Sequence, residues 1–139
     1  MTTVTDVMTR NVRTLAPTGT VADAAKAMDE LNVGVIPVCE GDKLLGLVTD
    51  RDIVVRAVAQ GLDGNTALSR VMSTDIRTAR ESDDLDKVLA EMAASQIRRL
   101  PVVDGSDRLV GIISIGDIAV KGQDEEDVGQ SLGEISSPA

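Results

Sequence analysis

The sequence predicts an α/β (α+β) fold made of two β-α-β-β-α motifs packed about a pseudo-two-fold axis. Two observations carry this. The phrase GLVTDRD at residues 46–52 returns as GIISIGD at 111–117, keeping the glycine, two apolar residues, a hydroxyl and the aspartate in place. Around it, landmarks recur in order 64 residues apart: Val7-Met8-Thr9 with Val71-Met72-Ser73, Thr14 with Thr78, Met28 with Met92, and Ile36-Pro37-Val38 with Leu100-Pro101-Val102. Past the turns EGDK and DGSDR the spacing grows to 65, because the second turn holds one residue more. A turn is where a duplicated fold tolerates an insertion.

Each copy opens with a short extended piece, NVRTLA or DIRTAR. An amphipathic helix follows. In copy one its apolar stripe is Val21, Ala24, Ala25, Met28 and Leu31, with Thr20 as N-cap and Asp23 completing a capping box. In copy two Leu85, Val88, Leu89 and Met92 repeat the stripe and Asp84 takes the cap position. Two strands come next, VGVIPVC then KLLGLVT, and RRLPVV then RLVGIIS, joined by short Gly/Asp loops as in hairpins. Pro37 and Pro101 imply strand positions whose backbone is not fully paired. A terminal helix closes each copy, DRDIVVRAVAQ and the shorter IGDIAVK, with GLDGNTALS as the linker. The division is 1–62 for the first copy, 63–121 for the second and 122–139 for a polar, acidic tail without periodicity, expected to be disordered. A copy of roughly 60 residues buries too little surface to be stable alone, so two copies are expected to pack on each other as a C2 dimer does.

Composition removes much chemistry. The 139 residues include no histidine and one cysteine, which excludes Ser/His/Asp and Cys/His catalytic units and a Cys/His zinc site. Phe, Tyr and Trp are also absent, so a bound base must be held between aliphatic side chains, and an aromatic nucleic-acid platform is excluded. The formal net charge of −9 opposes nucleic acid and anionic membrane surfaces. No apolar run reaches the roughly 20 residues of a membrane helix, and the N-terminus lacks the layout of a secretory signal, so the expected location is cytoplasmic. Cys39 has no intrachain disulfide partner and reads as a small buried thiol.

The repeated phrase has two readings. Thr49-x-x-Asp52 and Ser114-x-x-Asp117 each fit a capping box between a strand and a helix, with a worth of about 1 kcal/mol per helix, and Gly46 and Gly111 fit a close backbone approach or a bulge. The same atoms also suit a nucleoside phosphate. A hydroxyl at a helix start helps bind phosphate, and a carboxylate one turn later accepts hydrogen bonds from the vicinal hydroxyls of a ribose.

The ordered landmarks, V-M-[TS], then [IL]-P-V, a Gly/Asp turn and G-h-h-[ST]-x-x-D, resemble the CBS domain, named for cystathionine β-synthase. Two in tandem, over roughly residues 4–121, resemble a CBS pair or Bateman module, and TDRDIVVRAVAQGLDGNTA with IRRLPVV is most similar to short stand-alone bacterial CBS-pair proteins such as the hypoxic response type. The resemblance implies a non-catalytic regulatory module that binds AMP, ADP or ATP, and less readily NAD or S-adenosylmethionine, in clefts between the copies. It requires no cofactor, and any Mg would arrive with the phosphates. Asp52 and Asp117 would hold ribose hydroxyls, and Thr49 and Ser114 would face phosphate. Thr14 and Thr78, with Val35, Ile36 and Pro37 and with Arg99, Leu100 and Pro101, would line the base and its surroundings.

Copy two places Arg98-Arg99 where copy one has Gly34-Val35. Arg99 is either a phosphate partner or a solvated strand charge. The expected partners are an adenine nucleotide, a second copy of the chain and an effector protein outside it; a membrane is excluded and nucleic acid is disfavoured. The alternative is a dimeric interaction protein with vestigial clefts. A cation site at the acidic run 124–127 is a weaker reading than solubilising charge.

Overall fold

The computed structural model of the chain describes residues 2–116. Asp117, most of the closing helix expected at 115–121, and the acidic tail with its run at 124–127 lie outside the described residues. In chain order the elements are α1 (Val4–Val7), α2 (Val21–Leu31), β1 (Val35–Glu40), β2 (Lys43–Thr49), α3, β3 (Ala79–Arg80), α4 (Leu85–Ser95), β4 (Arg99–Val103) and β5 (Leu109–Ser114). Helix α3 is composite: an α-turn over Asp50–Asp52, a π-turn over Ile53–Ala57 and a 3-10 turn over Val58–Gln60. The mixed helix and strand content is the α/β class that the repeat predicts.

Among the described residues two compact units form, one from Arg13–Ile76 and the other from 2–12 with 77–116. These units are cut differently from the repeat, because each takes the opening segment of the other copy. In the first, Ser73 bridges Leu47 on β2, Ala67 bridges Thr20, and Leu68 and Val71 join the core of Val21, Ala24, Ala27, Met28, Ile36, Val38 and Val48. In the second, Thr9 bridges Ile112 on β5, Thr3 bridges Asp84, and Val4, Val7 and Met8 join the core of Leu85, Val88, Leu89, Met92, Leu100, Val102 and Ile113. Every one of these bridges keeps the repeat spacing read from the sequence, so the V-M-[TS] opening is a structural part that the copies exchange.

Within each unit the sheet is a hairpin with one neighbour on each side. β1 and β2 pair antiparallel from Val35↔Thr49 to Glu40↔Lys43, and β4 and β5 from Arg99↔Ser114 to Val103↔Leu109. The extended pieces ahead of the helices turn out shorter than NVRTLA and DIRTAR. The first survives only as the Leu15↔Val38 bridge, whereas the second is the strand β3, parallel to β4 at Ala79↔Val102 and Arg80↔Val103. The difference has a chemical cause. Leu15 donates to Pro37 O and accepts from Cys39 N, but the next donor on that side is Pro17, which has no N–H. Copy two has Glu81 there, and its N–H reaches Val103 O at 3.0 Å.

Pro37 turns its carbonyl toward Leu15, so its missing N–H lies on the side where pairing lasts a single residue, as expected for a strand proline. Helices α2 and α4 both end on a left-handed residue, Asn32 and Gln96, each at φ 55°. The α2 stripe differs from expectation. Ala27, not Ala25, completes the buried face, since Ala25 lies about 100° from its centre. Leu31, in the last turn before the chain leaves through Asn32, is 45% exposed. Asp84 sits at the N-cap of α4 but makes no side-chain cap bond, whereas Thr20 and Asp23 form the expected box.

Candidate functional site: the repeated strand-to-helix corner

Gly46 lies on β2 where the Ser73 backbone crosses, and a Cβ there would run into the Ser73 carbonyl. At Gly111 a Cβ would stand 2.7 Å from Thr9 O and 2.8 Å from Met8 Sδ. The glycines are therefore required by the exchanged V-M-[TS] segments, whose bridges put one backbone directly against another. Both hairpins also shift register beside these glycines, between Val38/Cys39 and between Val102/Val103. Close approach and bulge are thus both present.

At the end of β2 the chain turns into α3 through Thr49, extended at φ −112° and ψ 163°. Its hydroxyl accepts from Asp52 N at 3.0 Å, and Asp52 Oδ2 accepts from Thr49 N at 3.0 Å, the reciprocal capping box. Asp52 is the buried polar residue of the described chain, 8% exposed. Ser73 Oγ donates to it at 3.3 Å from Oδ1 and 3.4 Å from Oδ2, and Arg56 Nε stands 3.7 Å from Oδ1. A hydroxyl has one proton, so this bond is shared between the two oxygens and is weak toward each. Oδ1 therefore keeps an accepting direction that the cap does not use. The geometry shows the capping reading of the phrase: Oδ2 caps the helix, and Oδ1 lies outside that reciprocal pair.

In copy two, Ser114 ends β5 directly opposite Arg99, and Ile115 N donates to Arg98 O, the counterpart of Asp50 N on Gly34 O. Asp117 is outside the described residues. A cavity of ≈ 150 Å³ lies in this unit, lined by Arg77, Thr78, Glu91, Met92, Ile97 and Leu100. It brings together Thr78 and Leu100 of the expected set.

The remaining candidates are scattered by burial. Thr14 and Arg99 are exposed, Val35 is half-buried opposite Thr49, and Ile36, Pro37 and Pro101 are buried, with Ile36 a core residue at 1% exposure. Arg77, Glu91 and Ile97 were not singled out from the sequence. Arg77 adjoins Thr78 and was legible in principle; Glu91 sits on a helix face that reads as solvated, and only the fold brings it over Leu100.

Cys39 is 4% exposed, and burial, with the nearby Asp42 carboxylate second, raises its thiol above the usual range. It is a core atom. Among the described residues no group of three or more His, Cys, Asp or Glu side chains is placed to hold a metal ion, and no helix is long and apolar enough to cross a membrane.

A duplicated strand-to-helix corner carrying [ST]-x-x-D, with exchanged opening segments, defines a tandem CBS architecture, and the chain belongs to the CBS domain family, which it matches over residues 4–58 and 68–122. It is 46% identical to the CBS domain-containing protein YhcV of Bacillus subtilis over 136 residues, 98% of this chain and 96% of that one. It is 39% identical to Hypoxic response protein 1 of Mycobacterium tuberculosis over 121 residues, 86% and 84% of the two chains. The crystal structure of Hypoxic Response Protein I with two coordinated zinc ions superimposes with a TM-score of 0.76 at 37% identity, covering 86% of this chain and 98% of that one. CBSX2 in complex with AMP gives 0.76 at 26% identity over 86% and 95% of the chains. A CBS domain pair in complex with 5′-methylthioadenosine and S-adenosyl-L-methionine gives 0.72 at 28% identity over 96% and 97%.

Proposed function

We propose that this CBS pair is a non-catalytic, cytoplasmic regulatory module that binds an adenosyl ligand of the AMP, ADP or ATP class through its two [ST]-x-x-D corners. The Asp52 carboxylate carries the proposal, because it is fixed beside Ser73 and Arg56 and its Oδ1 lies outside the reciprocal cap with Thr49. The AMP and S-adenosyl-L-methionine complexes of the two neighbours support the same ligand class. Thr49 and Ser114 then face the 5′ substituent, Asp117 repeats the role of Asp52, and Thr14, Thr78, Val35 and Pro37, with Leu100 and Pro101, surround the base. An aliphatic surround suits a chain with no aromatic residue. Zinc, present in the Hypoxic Response Protein I structure, is not carried over, since this chain has no histidine and its one cysteine is buried.

The ligand state is reported through a homodimer to an effector protein. Repeats 1–62 and 63–121 act as the two halves of one sensor. The tail from 122 stays outside the binding function.

A second reading is favoured by one observation. Asp52 caps its own helix, takes the Ser73 hydroxyl and lies beside Arg56, which is a sufficient structural role for the corner, and the chain would then be a dimeric interaction protein with vestigial sites. Thermal unfolding followed by circular dichroism, with AMP, ADP, ATP, NAD and S-adenosylmethionine, separates the two. A ligand at 100 times its Kd adds about 2.7 kcal/mol, and Asp52→Asn should weaken that gain while keeping the fold. No stabilisation by any of the five leaves the interaction reading.

A further inference from the structure

Sulfur is what a peroxide can readily oxidise in this chain, which has five methionines and one cysteine but no histidine, tyrosine or tryptophan. Cys39 is closed to that chemistry. The thiolate is the reactive form, and burial, with Asp42 second, raises the thiol of a side chain that is 4% exposed. Among the described methionines, Met8, Met28 and Met92 are 5%, 8% and 1% exposed, whereas Met72 is half-buried, packed against the first core rather than inside it.

Met72 also holds a position that the repeat duplicates. Its sulfur stands 3.6 Å from the place of a Cβ on Gly46, and Met8 Sδ stands 2.8 Å from the same place on Gly111, so each V-M-[TS] methionine covers the glycine of a G-h-h-[ST]-x-x-D phrase. The tighter cover is the buried one. Around Met72 the backbone is committed to the corner. Its carbonyl accepts from Arg56 Nη1 at 3.2 Å, and the next residue, Ser73, exchanges backbone hydrogen bonds with Leu47 at 2.8 and 2.9 Å while its hydroxyl donates to Asp52.

We propose that Met72 is a site of oxidation by hydrogen peroxide, and that its sulfoxide loosens the Ser73–Leu47 bridge and with it the Ser73–Asp52 contact, leaving the copy-two bridge intact. In the step a lone pair on Sδ attacks one peroxide oxygen as the O–O bond breaks. The S–O bond forms, sulfur is oxidised by two electrons, and the second oxygen takes both protons and leaves as water. The product is polar where the thioether was apolar. Its oxygen needs a hydrogen-bond donor or water, so the side chain cannot stay packed against Gly46 and the first core, and its outward movement draws on Ser73 next to it. The site stands whether or not a ligand occupies the corner.

The test treats the whole chain with graded hydrogen peroxide, reads sulfoxide at each methionine by peptide mass spectrometry, and follows backbone hydrogen exchange by NMR. Met72 should oxidise at least about fivefold faster than Met8, Met28 or Met92. In the protein oxidised there, the Leu47 and Ser73 amides should exchange at least about tenfold faster. The amides of Thr9 and Ile112, which pair in the same way at 2.8 and 3.0 Å in copy two, should keep their rates. Met72→Leu, similar in volume and without the sulfur, should fold by circular dichroism and exchange alike before and after peroxide. Equal oxidation of the four methionines overturns the proposal, as does selective oxidation of Met72 without faster exchange at Leu47 and Ser73. These wild-type readings decide it without the variant. Faster exchange that persists in Met72→Leu assigns the change to another methionine and overturns it too.

Discussion

The Ser73 hydroxyl donates to both oxygens of the Asp52 carboxylate, at 3.3 and 3.4 Å, and so joins the last residue of V-M-S to the last residue of G-h-h-T-x-x-D. The two motif fragments, 21 positions apart, are one polar cluster. Arg56 completes it, reaching Met72 O at 3.2 Å while lying beside Asp52. A double-mutant cycle over Asp52→Asn and Ser73→Ala, read by urea unfolding with far-UV circular dichroism, should give a coupling of about 1 kcal/mol. Additivity within about 0.3 kcal/mol would show that the two side chains do not interact in solution.

The glycines of the phrase lead to a sharper expectation. Gly111→Ala drives a methyl group to 2.7 Å from Thr9 O and 2.8 Å from Met8 Sδ, and Gly46→Ala does the same against the Ser73 carbonyl. Backbone oxygens in a bridge cannot swing aside as a side chain does, so each substitution should destabilise by about 2–3 kcal/mol. Gly105→Ala is the control: nothing lies within 4 Å of its Cβ position, and its effect should stay within about 0.5 kcal/mol. Equal midpoints for all three variants in urea would contradict the close approach.

Much of this fold was legible because the chain states it twice. The short Gly/Asp loops predicted which strands pair, the 64-residue spacing that they do so twice, and KLLGLVT is β2 residue for residue. The exchange of opening segments was not legible, since hydrophobic periodicity reports which residues are buried and not against which copy they pack. The shortened first strand depends on a single proline, Pro17, at a donor position that only the register reveals. At the corner, the motif identified Thr49 and Asp52, but Ser73 could be joined to them only through the bridge to Leu47.

Two surface carboxylates contribute pH dependence. The backbone N–H groups of Arg108 and then Ser106 hold Asp104 below the usual carboxylate range, and the Thr20 backbone N–H and then its hydroxyl do so for Asp23. A carboxyl whose folded value is depressed binds its proton less readily than in the unfolded chain. Its stabilisation is therefore complete above the unfolded value and is lost as pH falls through the folded one, which places the window below about pH 4. Carbon-detected NMR titration should show both carboxyls changing state below the ordinary aspartate value. Asp104→Asn should flatten the fall in urea midpoint on the acid side of pH 4, and an unaltered slope would mean that the Asp104 turn does not persist in solution.

The proposed homodimer is testable on one helix. Val54, Val55 and Val58 on α3 are 58%, 44% and 65% exposed, three large apolar residues within five positions. Single exposed hydrophobic residues need no explanation, but a cluster on one helix is a surface that water does not favour. Val54 and Val55 lie in the π-turn over Ile53–Ala57 and Val58 opens the 3-10 turn after it, so all three follow the Asp52 corner, and the proposed ligand on Asp52 would act next to this face. Val54→Lys with Val58→Lys should leave the circular dichroism spectrum unchanged, because neither side chain supports the core. In sedimentation velocity the double variant should shift from a dimer toward a monomer by at least about tenfold in dissociation constant. A wild type that sediments as a monomer across the micromolar range would remove the dimer. A variant that remains as dimeric as the wild type would place the interface on another face of the molecule.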